Sequence, residues 1–376
     1  MNSIWAAGLM SGTSLDGTID VALIKTDGII VEKFSSFKSY SYSDEVRESI
    51  KESVEVAREW NFKGSEPELF KLTEELITVA QADAVNDLIQ GSPIDKEELG
   101  VVGFHGQTIL HKPPRDLKKG RTRQLGNGPL MSEILKTRVV YDFRTADMLA
   151  GGHGAPLCPP YHRALLENLI NKDEIAVLNL GGIGNITWCS NGSEDLIAFD
   201  TGPASAPIND LVTHFGLGDM DKDGLLASKG IVNKKILGEF LNNSYFNKKY
   251  PKSLDRYDFC HDQVLGLSIE DGAATLTRLC AESVSKAINI LPKRPKNLII
   301  CGGGRHNPVM LQEIEKTADI KVFQAEDFGW RGDAIEAECF GFLAVRSING
   351  LPISFPMTTG VGNEMSGGKI CNPKSN

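Results

Sequence analysis

The sequence has no CxxC pair, no excess of basic residues and no long apolar run, and each absence argues against a class of protein. Its seven cysteines are odd in number and widely spaced, so we expect neither a zinc site nor a disulfide framework. The net charge of −9 argues against a nucleic-acid partner. No apolar run approaches the ~20 residues of a membrane span, and the N-terminus lacks a basic segment followed by an apolar one. We therefore expect a cytoplasmic protein without a membrane partner.

Glycine, by contrast, is abundant. The chain has 38 glycines in 376 residues, roughly 10% against a usual value of about 7%. The excess is clustered, which indicates particular loops rather than a flexible linker. A chain of this length exceeds one typical core, so two lobes are expected.

Two apolar strands, Ile4 to Leu9 and Ile19 to Ile24, flank a glycine-containing turn at the start of the chain. This pattern predicts a β-hairpin, unlike a Walker-type unit, in which a helix follows the glycine loop at once. The same plan returns in the middle, where Ile175–Leu180 and Ile186–Cys189 flank a second glycine turn. The repetition predicts two related lobes.

Helices are predicted over residues 273–291 and 332–349 and in the charged region 43–90. In that region, one apolar helix face is formed by Leu69, Leu72, Leu76, Val79 and Ala80. Further strands are predicted from Leu196 to Phe199 and from Asn297 to Cys301.

The first glycine turn is a candidate phosphate loop, because glycines let the backbone approach phosphate oxygens and successive N–H groups bind anions. Its candidate ATP-binding residues are Gly12, Thr13, Ser14, Leu15, Asp16 and Gly17. Asp16 or Asp20 could hold a Mg²⁺-bound water. The alternative is an ordinary hairpin turn.

Two later glycine clusters follow buried strands in the same way. Gly181 and Gly182 suit close approach to a nucleotide, although tight strand packing would also explain them. Gly302, Gly303 and Gly304 are costly in conformational entropy and would seat an adenine or ribose edge. We assign both clusters to ATP binding.

Asp200 ends an apolar strand and precedes Gly202-Pro203, so its carboxylate is expected to be fixed. A general base needs such a carboxylate within hydrogen-bond reach of its proton. The alternative is a helix N-cap.

Three more polar residues lie at predicted element ends. Arg144 could clamp a carboxylate with two parallel hydrogen bonds, or pair internally with Asp142 or Asp147. His105 is more typical of a hydrogen-bonded structural group than of a catalyst. Glu336 shares a helix face with Asp333, and both also suit the helix dipole.

Together and in this order, these motifs resemble the anhydro-N-acetylmuramic acid kinase family. The matching stretches, which span nearly the whole chain, are GLMSGTSLDG (8–17), GFHGQT (103–108), QLGNG (124–128), DFRTADMLAGGHGAPL (142–157), LNLGGIGNIT (178–187), FDTGP (199–203), CGGGRHNP (301–308) and the Glu336 helix.

The resemblance implies an α/β, two-lobed actin-like ATPase fold with ribonuclease H-like lobes and an interlobe active-site cleft. Lobe I is expected to comprise residues 1–141 plus 354–376, and lobe II residues 142–353. The implied reaction uses ATP and Mg²⁺ to open a 1,6-anhydro sugar hydrolytically and phosphorylate O6, as part of peptidoglycan recycling. The resemblance also implies a homodimer.

In that reaction the catalytic base would be Asp200, and the substrate-binding residues would be Thr108, Arg144 and Glu336. Arg144 is the expected partner of the lactyl carboxylate. Two stretches depart from the family's usual pattern. Ala204-Ser205 replaces a usual Gly-Asn, and one extra residue precedes Asp20.

Two other functions fit the same pattern. One is a kinase of another 1,6-anhydrosugar such as levoglucosan, which lacks a carboxylate. The other is an ATPase of the actin or heat-shock type, which uses the same fold without a sugar.

Overall fold

The computed structural model describes residues 1–11, 17–114, 119–167, 169–190 and 195–374. Most of the first candidate phosphate loop, residues 12–16, therefore lies outside the described residues. Contacts divide the chain into two units, residues 1–168 with 336–376 and residues 169–335.

Groups of strands and groups of helices follow one another along the chain. The strands are β1 (Ile4–Ser11), β2 (Thr18–Thr26), β3 (Val31–Ser41), β4 (Leu99–Phe104), β5 (Gln107–Lys112), β6 (Arg121–Leu125), β7 (Val139–Tyr141), β8 (Ile175–Leu180), β9 (Ile183–Cys189), β10 (Leu196–Pro203), β11 (Asn297–Cys301), β12 (Lys321–Gln324) and β13 (Lys369–Cys371). The α-helices are α1 (Asp44–Trp60), α2 (Glu68–Gln90), α3 (Gly128–Leu135), α4 (Thr145–Leu149), α5 (Pro159–Leu166), α6 (Ser205–His214), α7 (Lys234–Leu241), α8 (Ile269–Asn289), α9 (Pro308–Ala318) and α10 (Ile335–Ile348). Short 3₁₀ turns lie at Lys96–Glu98, Lys172–Glu174, Lys222–Gly224, Ala227–Lys229, Ser244–Asn247, Asp262–Val264, Gly303–His306 and Ala325–Phe328.

The two units contain sheets that share a five-stranded arrangement, to which β13 adds a sixth strand in the first unit. The first has the order β13-β7-β4-β1-β2-β3 and the second β10-β9-β8-β11-β12. In each, three strands run antiparallel as a meander, and two more run parallel to the first of them. This repeated order confirms the predicted α/β class with two ribonuclease H-like lobes.

The boundaries expected for the lobes, after residues 141 and 353, both fall inside the first unit. Helices α4 and α5 and nearly all of α10 belong to this unit. Tyr161 on α5 donates a hydrogen bond to Glu338 on α10 at 2.5 Å, for example. The expected lobe boundaries themselves stay a prediction.

Helix α10 lies directly against the backbone of β1 and β4. A Cβ added to Gly8 would stand 1.8 Å from the carbonyl oxygen of Ala337, and one added to Gly103 would stand 2.0 Å from that of Phe340. Both distances are far shorter than van der Waals contact, so only glycine permits this approach.

The predicted apolar face of α2 is wrong. Leu72 is 56% exposed and Val79 43% exposed, whereas Phe70, Thr73 and Ile77 are fully buried. The buried face is shifted by one residue from the predicted one. It includes polar residues that are buried because they form hydrogen bonds with other side chains of the protein. Thr73, for instance, bonds to Ser53 at 2.9 Å.

No helix among the described residues is long and apolar enough to cross a membrane.

Candidate active site

The first candidate phosphate loop is anchored at both ends within the first unit. Ser11, at the end of β1, is buried and donates a hydrogen bond to Gln107. Gly17 adopts a left-handed φ of 77°, and its carbonyl accepts from the backbone N–H of Tyr42 at 2.8 Å. The loop between these anchors lies outside the described residues, so the contacts of Gly12, Thr13, Ser14, Leu15 and Asp16 stay predictions.

Arg144 is held by a buried histidine. Its Nε and Nη2 lie 3.3 and 3.0 Å from His105 Nε2, and its Nη1 donates to the carbonyl of Gly154 at 2.7 Å. These bonds use three of the five guanidinium N–H groups. One N–H on each terminal nitrogen has no partner among the described residues, and such a pair fits a carboxylate.

His105 can accept from Arg144 only as a neutral ring. Its Nδ1 lies 2.8 Å from the carbonyl of Gly106, which fixes the proton there and leaves Nε2 as the acceptor. Burial, assisted by the Arg144 charge, lowers the pKa of His105 to about 3. His105 therefore has the structural role that was expected of it: its ring orients the guanidinium of Arg144.

Gln124 joins Thr108 to this cluster. Its Nε2 lies 3.0 Å from His105 Nε2 and donates to the hydroxyl of Thr108 at 3.3 Å. The structure thus brings the predicted substrate residues Thr108 and Arg144 together through His105, for which a structural role was expected, and through Gln124, for which the sequence suggested no role. A cavity of about 360 Å³ borders His105 and Gln124, but neither Thr108 nor Arg144 lines it.

Glu336 also belongs to this group. Its half-buried carboxylate favours the charged form of Arg144, whose pKa is lowered chiefly by its removal from water. The alternative pairs expected for Arg144 do not form as hydrogen bonds. Asp142 instead binds Thr145 and Lys369, and Asp147 accepts from the backbone N–H of Gly154.

In the second unit, both glycine clusters follow the carboxyl ends of neighbouring parallel strands, β8 and β11. Their glycines fall into two kinds. Gly302 and Gly304 pack on β8, since an added Cβ would stand 2.2 Å from Asn179 Oδ1 and 2.7 Å from Leu180 Cβ respectively. Around Gly303 no atom lies within 4 Å of such a Cβ.

Gly181 has room for a Cβ, whereas Gly182 lies close against Ala206. The nearest atoms to an added Cβ are 3.6 and 3.2 Å away. Packing therefore explains Gly302 and Gly304 and contributes at Gly182, whereas Gly181 and Gly303 leave bare backbone that a ligand could approach.

The departure at residues 204–205 has a clear structural role. Ser205 Oγ donates to the carbonyl of Gly181 at 2.5 Å, and the backbone N–H of Ala204 donates to that of Gly182 at 3.0 Å. The start of α6 is thereby fastened to the second glycine turn.

Asp200 lies in β10, and the N-cap of α6 is Ala204, so Asp200 does not act as the helix cap. Its Oδ2 accepts from the backbone N–H of Leu254 at 2.8 Å. Its Oδ1 has no hydrogen-bond partner among the described residues. Burial raises the pKa of Asp200 to about 7, although the Leu254 N–H and the Lys252 charge act in the opposite direction.

Arg305 is a buried residue that sequence reasoning missed. Its guanidinium donates to the carbonyl of Gly302 at 3.1 Å and to Asp333 at 2.8 Å. It also pairs with Glu326 at 3.1 Å. The predicted last helix starts only at Ile335, and Asp333 lies in the turn before it.

The described residues form no metal site by themselves, since no group of three His, Cys, Asp or Glu side chains among them could hold an ion. Asp20, a candidate for Mg²⁺, accepts a hydrogen bond from Ser39. Magnesium in phosphoryl-transfer sites is bound mostly by phosphates and water with one or two carboxylates.

The family model for anhydro-N-acetylmuramic acid kinase matches residues 5–373. The chain belongs to the anhydro-N-acetylmuramic acid kinase family. An anhydro-N-acetylmuramic acid kinase from Mesorhizobium japonicum is 52% identical over 370 residues, which cover 98% of this chain and 100% of that protein. One from Rhizobium rhizogenes is 53% identical with the same coverage.

Membership in the anhydro-N-acetylmuramic acid kinase family confirms the resemblance inferred from the motifs and the predicted class of enzyme, an ATP-dependent sugar kinase. It does not test the roles of individual side chains. Those roles depend on the geometry around Asp200 and Arg144.

Proposed function

We propose that the chain uses ATP and water to convert 1,6-anhydro-N-acetylmuramic acid to N-acetylmuramic acid 6-phosphate and ADP. The observation that carries this proposal is the state of Asp200. One carboxylate oxygen is fixed by a backbone N–H, the other has no partner among the described residues, and the pKa is raised to about 7. A general base is most effective when its pKa lies near the working pH.

Asp200 would begin the reaction by removing a proton from water. The water oxygen forms a bond to C1 of the sugar, and the C1–O6 bond breaks with its electron pair moving to O6. O6 then attacks the γ-phosphorus of ATP and displaces ADP. The proton stays on Asp200 until it passes to solvent, so the bonds formed and broken balance.

The backbone at Gly181 and Gly303 would lie against ATP, because it offers N–H groups without side chains in the way. Gly182 would contact ATP from its place beside Ala206. The assigned residues Gly302 and Gly304 would contribute indirectly, by holding the loop on β8. Mg²⁺ would accompany the phosphates and neutralise their charge. The remaining ATP contacts proposed are those of the first loop, residues 12–17.

Arg144 would bind the lactyl carboxylate of the sugar with the two N–H groups that remain unused. Thr108 and Glu336 lie with it and would supply further hydrogen bonds to the sugar. A carboxylate partner for Arg144 favours the muramic acid over levoglucosan, which has none. Work in peptidoglycan recycling, a cytoplasmic location and a homodimer stay predictions.

A product assay tests the proposal. With 1,6-anhydro-N-acetylmuramic acid and Mg-ATP, we expect equimolar ADP and a sugar 6-phosphate by mass spectrometry. In water enriched in ¹⁸O, the label should enter at C1. If levoglucosan is the only sugar that reacts, the substrate is that anhydrosugar and not the muramic acid. ATP hydrolysis at an equal rate without any sugar would favour the actin-like or heat-shock type of ATPase.

Gly303 offers a test of the nucleotide contacts. Gly303→Ala should leave the thermal unfolding midpoint unchanged, because its Cβ meets nothing within 4 Å. If ATP approaches the bare backbone, the same methyl group should raise the KM for ATP about tenfold, the lower part of the cost of overpacking a contact. Steady-state kinetics with varied ATP measures this.

Gly266→Ala is the matched control, since its Cβ also meets nothing within 4 Å. It should change neither quantity. An unchanged KM for ATP in Gly303→Ala would remove Gly303 from the nucleotide site. Gly304→Ala should instead lower the unfolding midpoint, since its Cβ would press on Leu180.

A further inference from the structure

Lys252 is buried without an ionic partner. Its exposed fraction is 6%, and among the described residues no carboxylate oxygen lies within 4.0 Å of its ammonium. Lysine is almost never buried unless it is paired, because the desolvation of an ammonium is costly. The burial of this charge therefore indicates that the ammonium has a role in the protein.

The ammonium of Lys252 lies among aromatic rings and a carbonyl. Its Nζ is 4.5 Å from the centre of the Tyr245 ring and 5.4 Å from that of Phe199. It also donates to the backbone carbonyl of Tyr245 at 3.4 Å. Ring faces attract a desolvated cation, so they hold the charge in place without neutralising it.

Residues 245–254, the segment that includes Lys252, also make three hydrogen bonds to Asp200. The carbonyl of Lys252 accepts from the backbone N–H of Asp200 at 3.1 Å. The N–H of Leu254 binds Asp200 Oδ2 at 2.8 Å, and the hydroxyl of Tyr245 donates to the Asp200 carbonyl at 2.5 Å. The backbone and carboxylate of Asp200, within β10, are thus fixed by residues 245–254.

We propose that Lys252 is a positioning residue for Asp200. Its backbone carbonyl fixes the backbone of Asp200, and its ammonium, held by the aromatic rings, favours the ionised form of the Asp200 carboxylate. This inference rests on the proposed role of Asp200 as the base. Without a nearby cation, a larger fraction of a half-buried carboxylate of this kind would be protonated at neutral pH and unable to accept a proton from water.

The charges around the two groups support this assignment. Burial raises the pKa of Asp200 and the Lys252 charge opposes that rise. Burial lowers the pKa of Lys252 to about 8, Asp200 raises it and Lys248 lowers it further. The pKa of Tyr245 is raised far above neutrality by burial and by Asp200 and Asp258, so its hydroxyl stays neutral throughout.

The test is the pH dependence of kcat in Lys252→Met. The base must be ionised, so activity is present above the pKa of Asp200 and is lost as the pH falls through it. In the unaltered protein that loss should centre near pH 7. Without the ammonium, the midpoint should rise by about 1 unit or more. The rate at pH 7 should therefore fall several-fold and recover at pH 9.

Two variants separate charge from packing. Lys252→Arg keeps the charge and should retain a midpoint near pH 7. Lys249→Met removes an exposed charge from the same segment and should leave the profile unchanged. A Lys252→Met profile that matches the unaltered one, or an equal shift in Lys252→Arg, would overturn the inference.

A failure of this inference can be told apart from a failure of the proposed function. If Asp200→Asn is inactive while Lys252→Met has an unaltered profile, Asp200 is the base and Lys252 does not position it. If Asp200→Asn is active, the proposed role of Asp200 itself is wrong. Lys252→Met should fold, because a buried unpaired ammonium is replaced by an apolar chain of similar length.

Discussion

Asp200→Asn should lower kcat by about 10²–10⁴-fold, the usual contribution of a general base. The amide cannot accept a proton from water, yet its oxygen can still accept the Leu254 N–H that now binds Oδ2. The fold and the binding of ATP should therefore be retained. Single-turnover formation of the sugar phosphate measures the loss, and calorimetry with ATP measures the binding.

Asp210→Asn is the matched control, because Asp210 lies on the helix that follows β10 and pairs with Arg256 at 2.5 Å. This variant should keep kcat within a fewfold of the original value. Near-normal turnover in Asp200→Asn would show that another group activates the water.

Arg144→Met should discriminate between sugars. Hydrogen bonds to a charged group contribute about 1.5–3 kcal/mol. By that measure, kcat/KM for the anhydromuramic acid should fall about 10- to 100-fold. For 1,6-anhydro-N-acetylglucosamine, which lacks the lactyl carboxylate, kcat/KM should be nearly unchanged. The ratio of the two values, measured on one preparation, is the quantity of interest.

The KM for ATP is the internal control for Arg144→Met and should not move. Arg144→Lys keeps the charge but has no planar fork, so it should recover only part of the lost ratio. If both sugars lose activity equally, Arg144 supports the site without recognising the carboxylate.

Much of the fold could be predicted because local pattern determines it. The strands Ile175–Leu180 and Asn297–Cys301 were predicted with the bounds they have, since each is an apolar run stopped by glycine. The repeated hairpins also predicted the repeated sheet. Periodicity failed on α2, where buried Thr73 and Gln81 hydrogen-bond internally. A sequence does not reveal which polar groups will find partners.

The site was predictable in part for a related reason. Asp200 and Arg144 were recognisable from strand ends and from family motifs. Lys252 and Arg305 were not recognisable, because their roles depend on residues that are distant in the sequence. Lys252 acts on Asp200, which is 52 positions away. Arg305 binds Asp333, which is 28 positions away. Gln124 stood inside a matching motif, and that was the only signal for its position beside Thr108.

The backbone contact of α10 with Gly8 and Gly103 has a consequence for redesign of the substrate preference. Glu336 lies in the first turn of α10, which is seated on β1 and β4 with no room for even a methyl group between them. Shifts of that helix are therefore a poor route to new sugars, and libraries should leave its inner face unchanged. Variation is better directed at the side chains that surround the guanidinium of Arg144, where size and polarity can change without moving the scaffold.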